Sequence, residues 1–251
     1  MSNLDAEETG KALLKYCDEY AVPPEYVFQI LHDQKVVPMI RGKATEFSGY
    51  LALKRVLPES EWSVEKLNLN AQPGSSDEDI SITHRRTGVT LKAECKNAVR
   101  GSMCSGARAR ICSVPHFKVK CHRSRSNISL AESTNDRYSA DTFDVILTNV
   151  SNALFEGGTV SAQLELLHNR DIVRLVMAHY RVADDAKLIR AAYEDWRFVL
   201  PRTIAEDGFI PRTPTACLAE DPNWKSLSFL PTALLDVVKG LHKGRRRGAK
   251  G

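Results

Sequence analysis

The segment from residue 79 to residue 96 constrains the fold of this chain most, because it predicts two neighbouring strands joined by a tight turn. Apolar and polar residues alternate in ISIT at residues 80–83 and in VTLKAE at residues 89–94, as in half-buried strands. HRRTG at residues 84–88 is polar and ends in glycine, which is typical of a hairpin turn. If the two strands pair across this turn, Asp79 lies beside Glu94.

The second strand ends in the triplet Glu94-Cys95-Lys96. Residues two apart on a strand share a face, so we expect Glu94 and Lys96 to project together while Cys95 points into the protein. Together with Asp79, this gives two carboxylates and one ammonium at one end of a sheet. Carboxylates so close repel each other unless a cation lies between them, and hard oxygen ligands favour Mg²⁺ or Mn²⁺.

An Asp before an apolar strand, followed by Glu-x-Lys on the next strand, resembles the PD-(D/E)XK nuclease superfamily, to which most type II restriction endonucleases belong. Asp79, Glu94 and Lys96 fall on the three motif positions, although Glu78 stands where the family name has Pro. The resemblance implies an α/β (α+β) fold, a central mixed β-sheet flanked by helices. It also implies catalysis by these three residues, Mg²⁺ held by Asp79 and Glu94 with Mn²⁺ as a substitute, and products with 5′-phosphate and 3′-hydroxyl ends.

Four further acidic residues bear on this interpretation. Two other acid-x-Lys triplets occur at residues 33–35 and 185–187, but both lie beside helical patterns, and such triplets arise by chance in a chain of this composition. Family members often carry a Glu on the helix before the first strand, and Glu46 matches that position as a third metal ligand. Asp144, in a predicted hydrophobic strand, is the alternative if Asp79 is not a ligand.

Positive charge is concentrated around the candidate site. Residues 84–125 hold eleven Lys and Arg against one acid, and residues 239–250 hold six with none, which leaves 18 basic and 30 acidic residues elsewhere. Clustering of one sign beside a pair of carboxylates predicts a polyanionic partner, with double-stranded DNA as the leading candidate. The predicted DNA-binding residues are Arg100, Arg108, Arg110, Lys118, Lys120, Arg123 and Arg125. Arg123 and Arg125 suit guanine edges or phosphates, whereas Lys118 and Lys120 suit phosphates.

Periodicity and breakers divide the chain into three parts. We predict an N-terminal helical segment at 1–38, a nuclease core at 39–156, and a C-terminal helical part at 157–251 that packs with the core as one compact unit and ends in a disordered basic tail. The predicted helices lie at 4–20, 24–31, 41–56, 107–112, twice within 161–200 and at 227–241. The predicted strands lie at 61–70, 79–83, 89–94, 117–121 and 143–150.

The six cysteines show no framework spacing, which predicts reduced thiols and a cytoplasmic location. Cys104, Cys112, Cys121 and His122 lack the close pairing of a structural zinc site. No apolar run reaches transmembrane length and the acidic start is not a signal peptide, so no membrane partner is expected.

Three functional hypotheses remain open at this point. The first is a sequence-specific, Mg²⁺-dependent endonuclease of the type II restriction class, acting as a homodimer and accompanied by a DNA methyltransferase specific for the same site. The second is a superfamily relative in repair, recombination or mobile-element defence that cuts by DNA structure. The third is a DNA-binding protein without catalytic activity.

Overall fold

The structure, a computed structural model, describes residues 5–67, 78–104, 113–122, 136–157 and 164–248. Within these ranges the chain forms an α/β fold with seven α-helices and a mixed six-stranded sheet, which confirms the predicted fold class. None of the helices in these ranges has the length and hydropathy needed to cross a membrane.

The helices begin where capping residues and prolines place them. The Asp5 carboxylate accepts from the Glu7 amide at the start of the first helix, and Asn169 and Asp184 cap the fourth and fifth. The α-helices are α1 (Ala6–Glu19), α2 (Val27–His32), α3 (Val36–Val56), α4 (Arg170–Tyr180), α5 (Asp185–Glu194), α6 (Pro201–Ile204) and α7 (Leu230–Gly248); short 3₁₀ turns cover Pro24–Tyr26, Ser151–Leu154 and Leu227–Phe229.

The strands are β1 (Trp62–Lys66), β2 (Ile80–His84), β3 (Val89–Cys95), β4 (His116–Lys118), β5 (Val145–Asn149), β6 (Phe155–Gly157), β7 (Leu164–Leu166), β8 (Trp196–Val199), β9 (Thr215–Cys217) and β10 (Lys225–Ser226). The main sheet has the order β1-β2-β3-β5-β8-β10. Its β3–β5 pair is parallel and its other pairs are antiparallel. Strands β4 and β9 form one small sheet, and β6 and β7 form another.

The predicted hairpin is present as β2 and β3. Ile80 pairs with Ala93 and His84 pairs with Val89, so the register places residue 79 opposite residue 94. Gly88 ends the turn with φ of +66°, a left-handed conformation that glycine adopts at little cost. The hairpin therefore has the register that brings the candidate site residues to one end of the sheet.

Helices cover both faces of the sheet, and successive side chains of β5 point to opposite faces. Leu147 packs in a core with residues of α3 and α7, whereas Ile146 packs in a second core with residues of α4 and α5. All five residues of β5 are buried, as expected for a strand in the middle of a sheet with helices on both sides. The prediction of a central strand at residues 143–150 is confirmed.

Residues 161–200 were predicted to form two helices, but they also contain two strands. Leu164 to Leu166 form β7, and Trp196 to Val199 form β8 inside the main sheet. All four residues of β8 are buried, so this strand lacks the period-two alternation that would have distinguished it from the end of an amphipathic helix. The two helices between these strands are present, separated at Asp184 as predicted.

Several boundaries also differ from the prediction. Helix α3 begins at Val36, before the predicted start at residue 41. Pro38 does not prevent this earlier start, because it lies in the first turn, where a proline is tolerated. The helix therefore runs through the predicted boundary between residues 38 and 39. Helix α7 continues to Gly248, into residues predicted as a disordered tail. The predicted helix at 107–112 lies outside the described residues.

Candidate active site

Asp79 lies at the start of β2 and faces the end of β3. Its backbone amide donates to the carbonyl of Ala93 at 3.2 Å, and its Oδ2 accepts a hydrogen bond from the amide of Cys95 at 2.8 Å. Since Cys95 stands between Glu94 and Lys96, this contact holds the Asp79 carboxylate against the backbone of the triplet. The antiparallel hairpin register makes the contact possible.

Glu94 and Lys96 project from the same face at the end of β3. Lys96 Nζ lies 2.6 Å from Glu94 Oε1, and Glu94 is only 5% exposed. Cys95 points to the opposite face, where a Cβ added to Gly49 of α3 would meet its Sγ. Such a short, buried ion pair fixes the ammonium at the end of the sheet, next to Asp79.

The Lys96 ammonium has a second neighbour in Tyr138. Its Nζ lies 3.4 Å from the Tyr138 hydroxyl and 4.7 Å from the centre of the ring. Burial alone would lower the pKa of Lys96, but the negative charge and hydrogen bond of Glu94, with a contribution from Tyr138, raise it above its usual value. Lys96 is therefore a cation at neutral pH and suited to contacting negatively charged oxygen atoms.

Burial raises the pKa of the Asp79 carboxyl to about 6. The hydrogen bond from Cys95 acts in the opposite direction, the negative charge of Glu46 adds to the rise, and Lys96 and Lys66 oppose it. Asp79 thus lies in a poorly solvated position with another carboxylate nearby. A divalent cation placed there would relieve both effects.

Glu46 lies on α3 at the same end of the sheet and is held by two lysines. Its Oε2 accepts from Lys66 and from Lys43, each at 2.8 Å. The Lys66 ammonium, at the end of β1, also lies 3.5 Å from the Asp79 carbonyl oxygen. The structure thus brings Glu46 to the edge of the site, with its carboxylate already neutralised by lysines.

The oxygen donors of the candidate site fit the coordination that Mg²⁺ usually has in proteins. Asp79 and Glu94 supply carboxylate oxygens at the ends of adjacent strands. The backbone carbonyl of Cys95, between Glu94 and Lys96, is a further oxygen donor. Among the described residues, no three Asp, Glu, His or Cys side chains form a complete cage. Mg²⁺ does not need one, because it usually binds through one or two carboxylates together with water and substrate phosphates.

Asp144 occupies a different place. Its carboxylate accepts from the backbone amide of Lys92 at 2.8 Å, and its own amide donates to the Lys92 carbonyl at 2.9 Å. Both contacts extend the parallel β3–β5 pair toward the beginning of β5. Asp144 thus contacts β3 at Lys92, which lies two residues before Glu94.

Three of the predicted DNA-binding residues are described, and all three are exposed. Lys118 and Lys120 lie beside the chain that leaves β3, because Val99 donates to the Lys118 carbonyl at 2.7 Å and Lys120 donates to the Asn97 carbonyl at 2.9 Å. Arg100 follows on that same chain. Arg108, Arg110, Arg123 and Arg125 lie outside the described residues.

Two of the cysteines that were considered as zinc ligands lie beside this segment. Cys104 and Cys121 are both buried, and burial raises the pKa of the Cys121 thiol to about 12, which disfavours the thiolate that zinc requires. Cys112 lies outside the described residues.

Sequence reasoning missed Lys43, Lys66 and Tyr138. Lys66 pairs with Ile80 in the β1–β2 register, so a correct assignment of β1 would have placed it one position from Asp79. Lys43 lies three residues before Glu46 on one helix face, a spacing that the sequence shows. Tyr138 comes from a stretch without periodicity, and no local signal indicates its position.

Comparisons with known proteins give one structural likeness. No protein-family model and no curated protein matches this chain. A solved structure of a bacterial homing endonuclease, I-Ssp6803I, is similar over 86% of this chain and 99% of its own, with 12% sequence identity and a TM-score of 0.35. At that level the likeness carries no argument about family or activity.

Proposed function

We propose that this protein is a Mg²⁺-dependent endonuclease of the PD-(D/E)XK superfamily that cuts double-stranded DNA at specific sequences, as type II restriction enzymes do. The observation that carries the proposal is the meeting of Asp79, Glu94 and Lys96 at one end of the central sheet. Asp79 Oδ2 accepts from the amide of the residue between the other two, and Lys96 Nζ lies 2.6 Å from Glu94 Oε1.

The proposed reaction is hydrolysis of a phosphodiester bond. When bound by Asp79 and Glu94, Mg²⁺ supplies a water of lowered pKa and neutralises charge on the scissile phosphate. The amide of Cys95 holds the Asp79 carboxylate in place for this role. Water adds to phosphorus, the bond to the 3′-oxygen breaks and that oxygen takes up a proton, which leaves 5′-phosphate and 3′-hydroxyl ends.

Lys96 has the second role in this proposal. Its ammonium stays charged at neutral pH because Glu94 raises its pKa, so it can donate to the attacking water and to a phosphate oxygen as negative charge develops there. The Tyr138 ring and hydroxyl hold the ammonium from the other side. Lys96 thus orients the nucleophile and stabilises the transition state.

DNA is the proposed substrate because exposed cations lie beside the acidic site. Lys118, Lys120 and Arg100 lie on or beside the chain that follows Lys96, and none of them pairs with a described acid. Unpaired cations arranged along a surface suit the phosphates of a duplex. The length of chain outside the catalytic hairpin favours a site-specific enzyme over one that cuts by DNA structure.

A digest of defined plasmid DNA tests this proposal. In Mg²⁺ or Mn²⁺ we expect discrete bands whose ends carry ligatable 5′-phosphates, and in EDTA we expect no cleavage. A smear, or cutting confined to branched junctions, would support a repair or recombination nuclease instead. Binding without any cleavage in either metal would leave only the non-catalytic DNA-binding hypothesis.

We further propose that the enzyme acts as a homodimer through its N-terminal helices. These helices leave large apolar side chains uncovered, including Tyr20 at 60%, Phe28 at 65% and Met39 at 71% exposure. Since Met39 and Glu46 both lie on α3, this surface continues toward the candidate site. A two-fold dimer would direct one site at each strand of a palindromic duplex.

Sedimentation velocity checks this arrangement. The wild-type protein is expected to sediment as a dimer and the Phe28→Glu, Met39→Glu double variant as a monomer, because buried carboxylates disfavour an apolar interface. Phe229→Glu, at an equally exposed phenylalanine elsewhere, is the matched control and should remain dimeric. A wild-type monomer, both free and on a cognate duplex, would contradict the proposal.

Two corollaries follow from the proposed restriction activity. A host carrying such an enzyme needs protection of its own DNA, so we propose a methyltransferase that modifies the same sequence. Cleavage of incoming DNA would take place in the cytoplasm, where the five described cysteines, all free thiols, would stay reduced.

A further inference from the structure

A small cationic cavity lies next to the candidate active site. It has a volume of about 240 Å³ and lies between α3, the chain that leaves β3, and the 3₁₀ turn after β5. We name it the arginine cavity, and the lining residues that matter here are Arg41, Thr45, Ser48, Arg55, Asn97 and Asn152. None of its described lining residues is an Asp or Glu.

The cavity and the active site share a wall. Thr45 immediately precedes Glu46 on α3, and Asn97 immediately follows Lys96. Thr45 Oγ1 donates to Asn97 Oδ1 at 2.5 Å, so the two walls are joined beside the site. Both walls therefore belong to elements that also carry residues of the candidate site, namely Glu46 on α3 and Lys96 after β3.

Arg41 is held at the cavity by neutral groups only. Its Nη2 donates to Asn152 Oδ1, and Asn152 Nδ2 in turn donates to the Ala98 carbonyl. Arg41 forms no ion pair with an acid in the described part of the chain, whereas many other arginines of the structure do. The amide network fixes the guanidinium in one orientation without neutralising its charge.

Arg100 does not line the cavity, but its positive charge acts on Arg41. Burial lowers the pKa of Arg41, and the positive charge of Arg100 lowers it further, so the two guanidinium groups act on each other. Arg100 is exposed, and its Nη1 lies 3.6 Å from where a Cβ on Gly157 would stand. An anion bound beside Arg41 would offset both its burial and the positive charge of Arg100.

We propose that the arginine cavity binds a phosphate of the DNA backbone adjacent to the one that is cut. Arginine suits this ligand because its planar guanidinium donates two hydrogen bonds to phosphate oxygens. The inference rests on the proposed nuclease function and deepens it, since the cavity would set which phosphate lies between Asp79 and Lys96. Arg41 and Arg100 are thus positioning residues, because neither touches the reacting atoms.

The test combines charge removal with salt titration of duplex binding in Ca²⁺. We expect Arg41→Gln and Arg100→Gln each to weaken binding roughly tenfold, as loss of a charged hydrogen bond does. The slope of log K against log salt should fall by about 0.9, as expected for one lost phosphate contact. Arg174→Gln removes an equally cationic side chain that pairs with Asp171 on α4, and this matched control should leave the slope unchanged.

Neutral backbone substitution locates the contact. Replacing single phosphates by methylphosphonates should weaken wild-type binding at each contacted phosphate, including one next to the cleavage site, and Arg41→Gln should lose its sensitivity at that adjacent position alone. Equal sensitivity of wild type and both variants at every position would overturn the inference. If these variants bound like wild type while Asp79→Ala abolished cleavage, only the inference would fail; if the wild type bound no DNA, the proposed function itself would fail.

Discussion

Replacing Asp79, Glu94 or Lys96 by alanine is expected to lower DNA cleavage by a factor of about 10³ or more, while binding of the duplex in Ca²⁺ persists. The first two variants lose a carboxylate proposed to hold Mg²⁺, and the third loses the ammonium proposed to stabilise the transition state. Lys96→Arg should also be poor, since a planar guanidinium cannot occupy the point that an ammonium occupies between Glu94 and Tyr138.

Single-turnover cleavage on a defined duplex measures this effect. Lys92→Ala is the matched control, because Lys92 lies four residues before Lys96 and its ammonium pairs at 3.4 Å with Glu78 and not with Glu94; it should cut within a few-fold of wild type. Glu94→Gln preserves side-chain shape and guards against loss of folding in Glu94→Ala. Near-wild-type cleavage by Asp79→Ala would contradict the proposed site and would make Asp144 the candidate ligand.

A methyl group at Gly49 is expected to destabilise the protein through a contact directly behind the triplet Glu94-Cys95-Lys96. A Cβ at this position would lie 2.5 Å from Cys95 Sγ and 3.3 Å from the Trp196 ring. Overpacking a buried site costs about 1–3 kcal/mol, which exceeds the gain of about 0.5–1 kcal/mol from replacing a helical glycine by alanine. Gly49→Ala should therefore lower the free energy of unfolding and also reduce cleavage, because Cys95 separates Glu94 from Lys96.

Urea denaturation of two further variants isolates the cause. Gly42→Ala lies on the same helix with nothing within 4 Å of the new Cβ, so it should raise the free energy of unfolding. In a Cys95→Ala background, Gly49→Ala should cost less than in wild type, because the sulfur is gone. Equal changes at Gly42 and Gly49 would show that the close approach of α3 to β3 has no energetic effect.

The hairpin that carries the candidate site was predictable from sequence because its information is local. Alternation marks β2 and β3, and a glycine with positive φ ends the turn between them, so register follows without knowledge of the rest of the fold. That register alone brings Asp79 opposite Glu94. The α/β class and the central position of β5 were predictable for the same reason, since a short, predominantly apolar run indicates a strand covered on both faces.

The parts that were not predicted depend on contacts distant in sequence. β8 is a strand because it pairs with β5 in the middle of the sheet, although its buried residues also fit a helix. Tyr138 reaches Lys96 from another segment of the chain. Arg41 contacts Asn152, which lies more than a hundred residues away in sequence. None of these contacts has a sequence signal at its own position.

The location of the metal ion in a crystal of the protein with duplex DNA and Mn²⁺ tests the central claim most directly. Mn²⁺ prefers the same oxygen ligands as Mg²⁺ and scatters anomalously. We predict an anomalous peak coordinated by Asp79 and Glu94, with a phosphate oxygen as a further ligand and the Lys96 ammonium beside that phosphate. A peak elsewhere, with no metal between Asp79 and Glu94, would contradict the assignment of these residues as the catalytic centre.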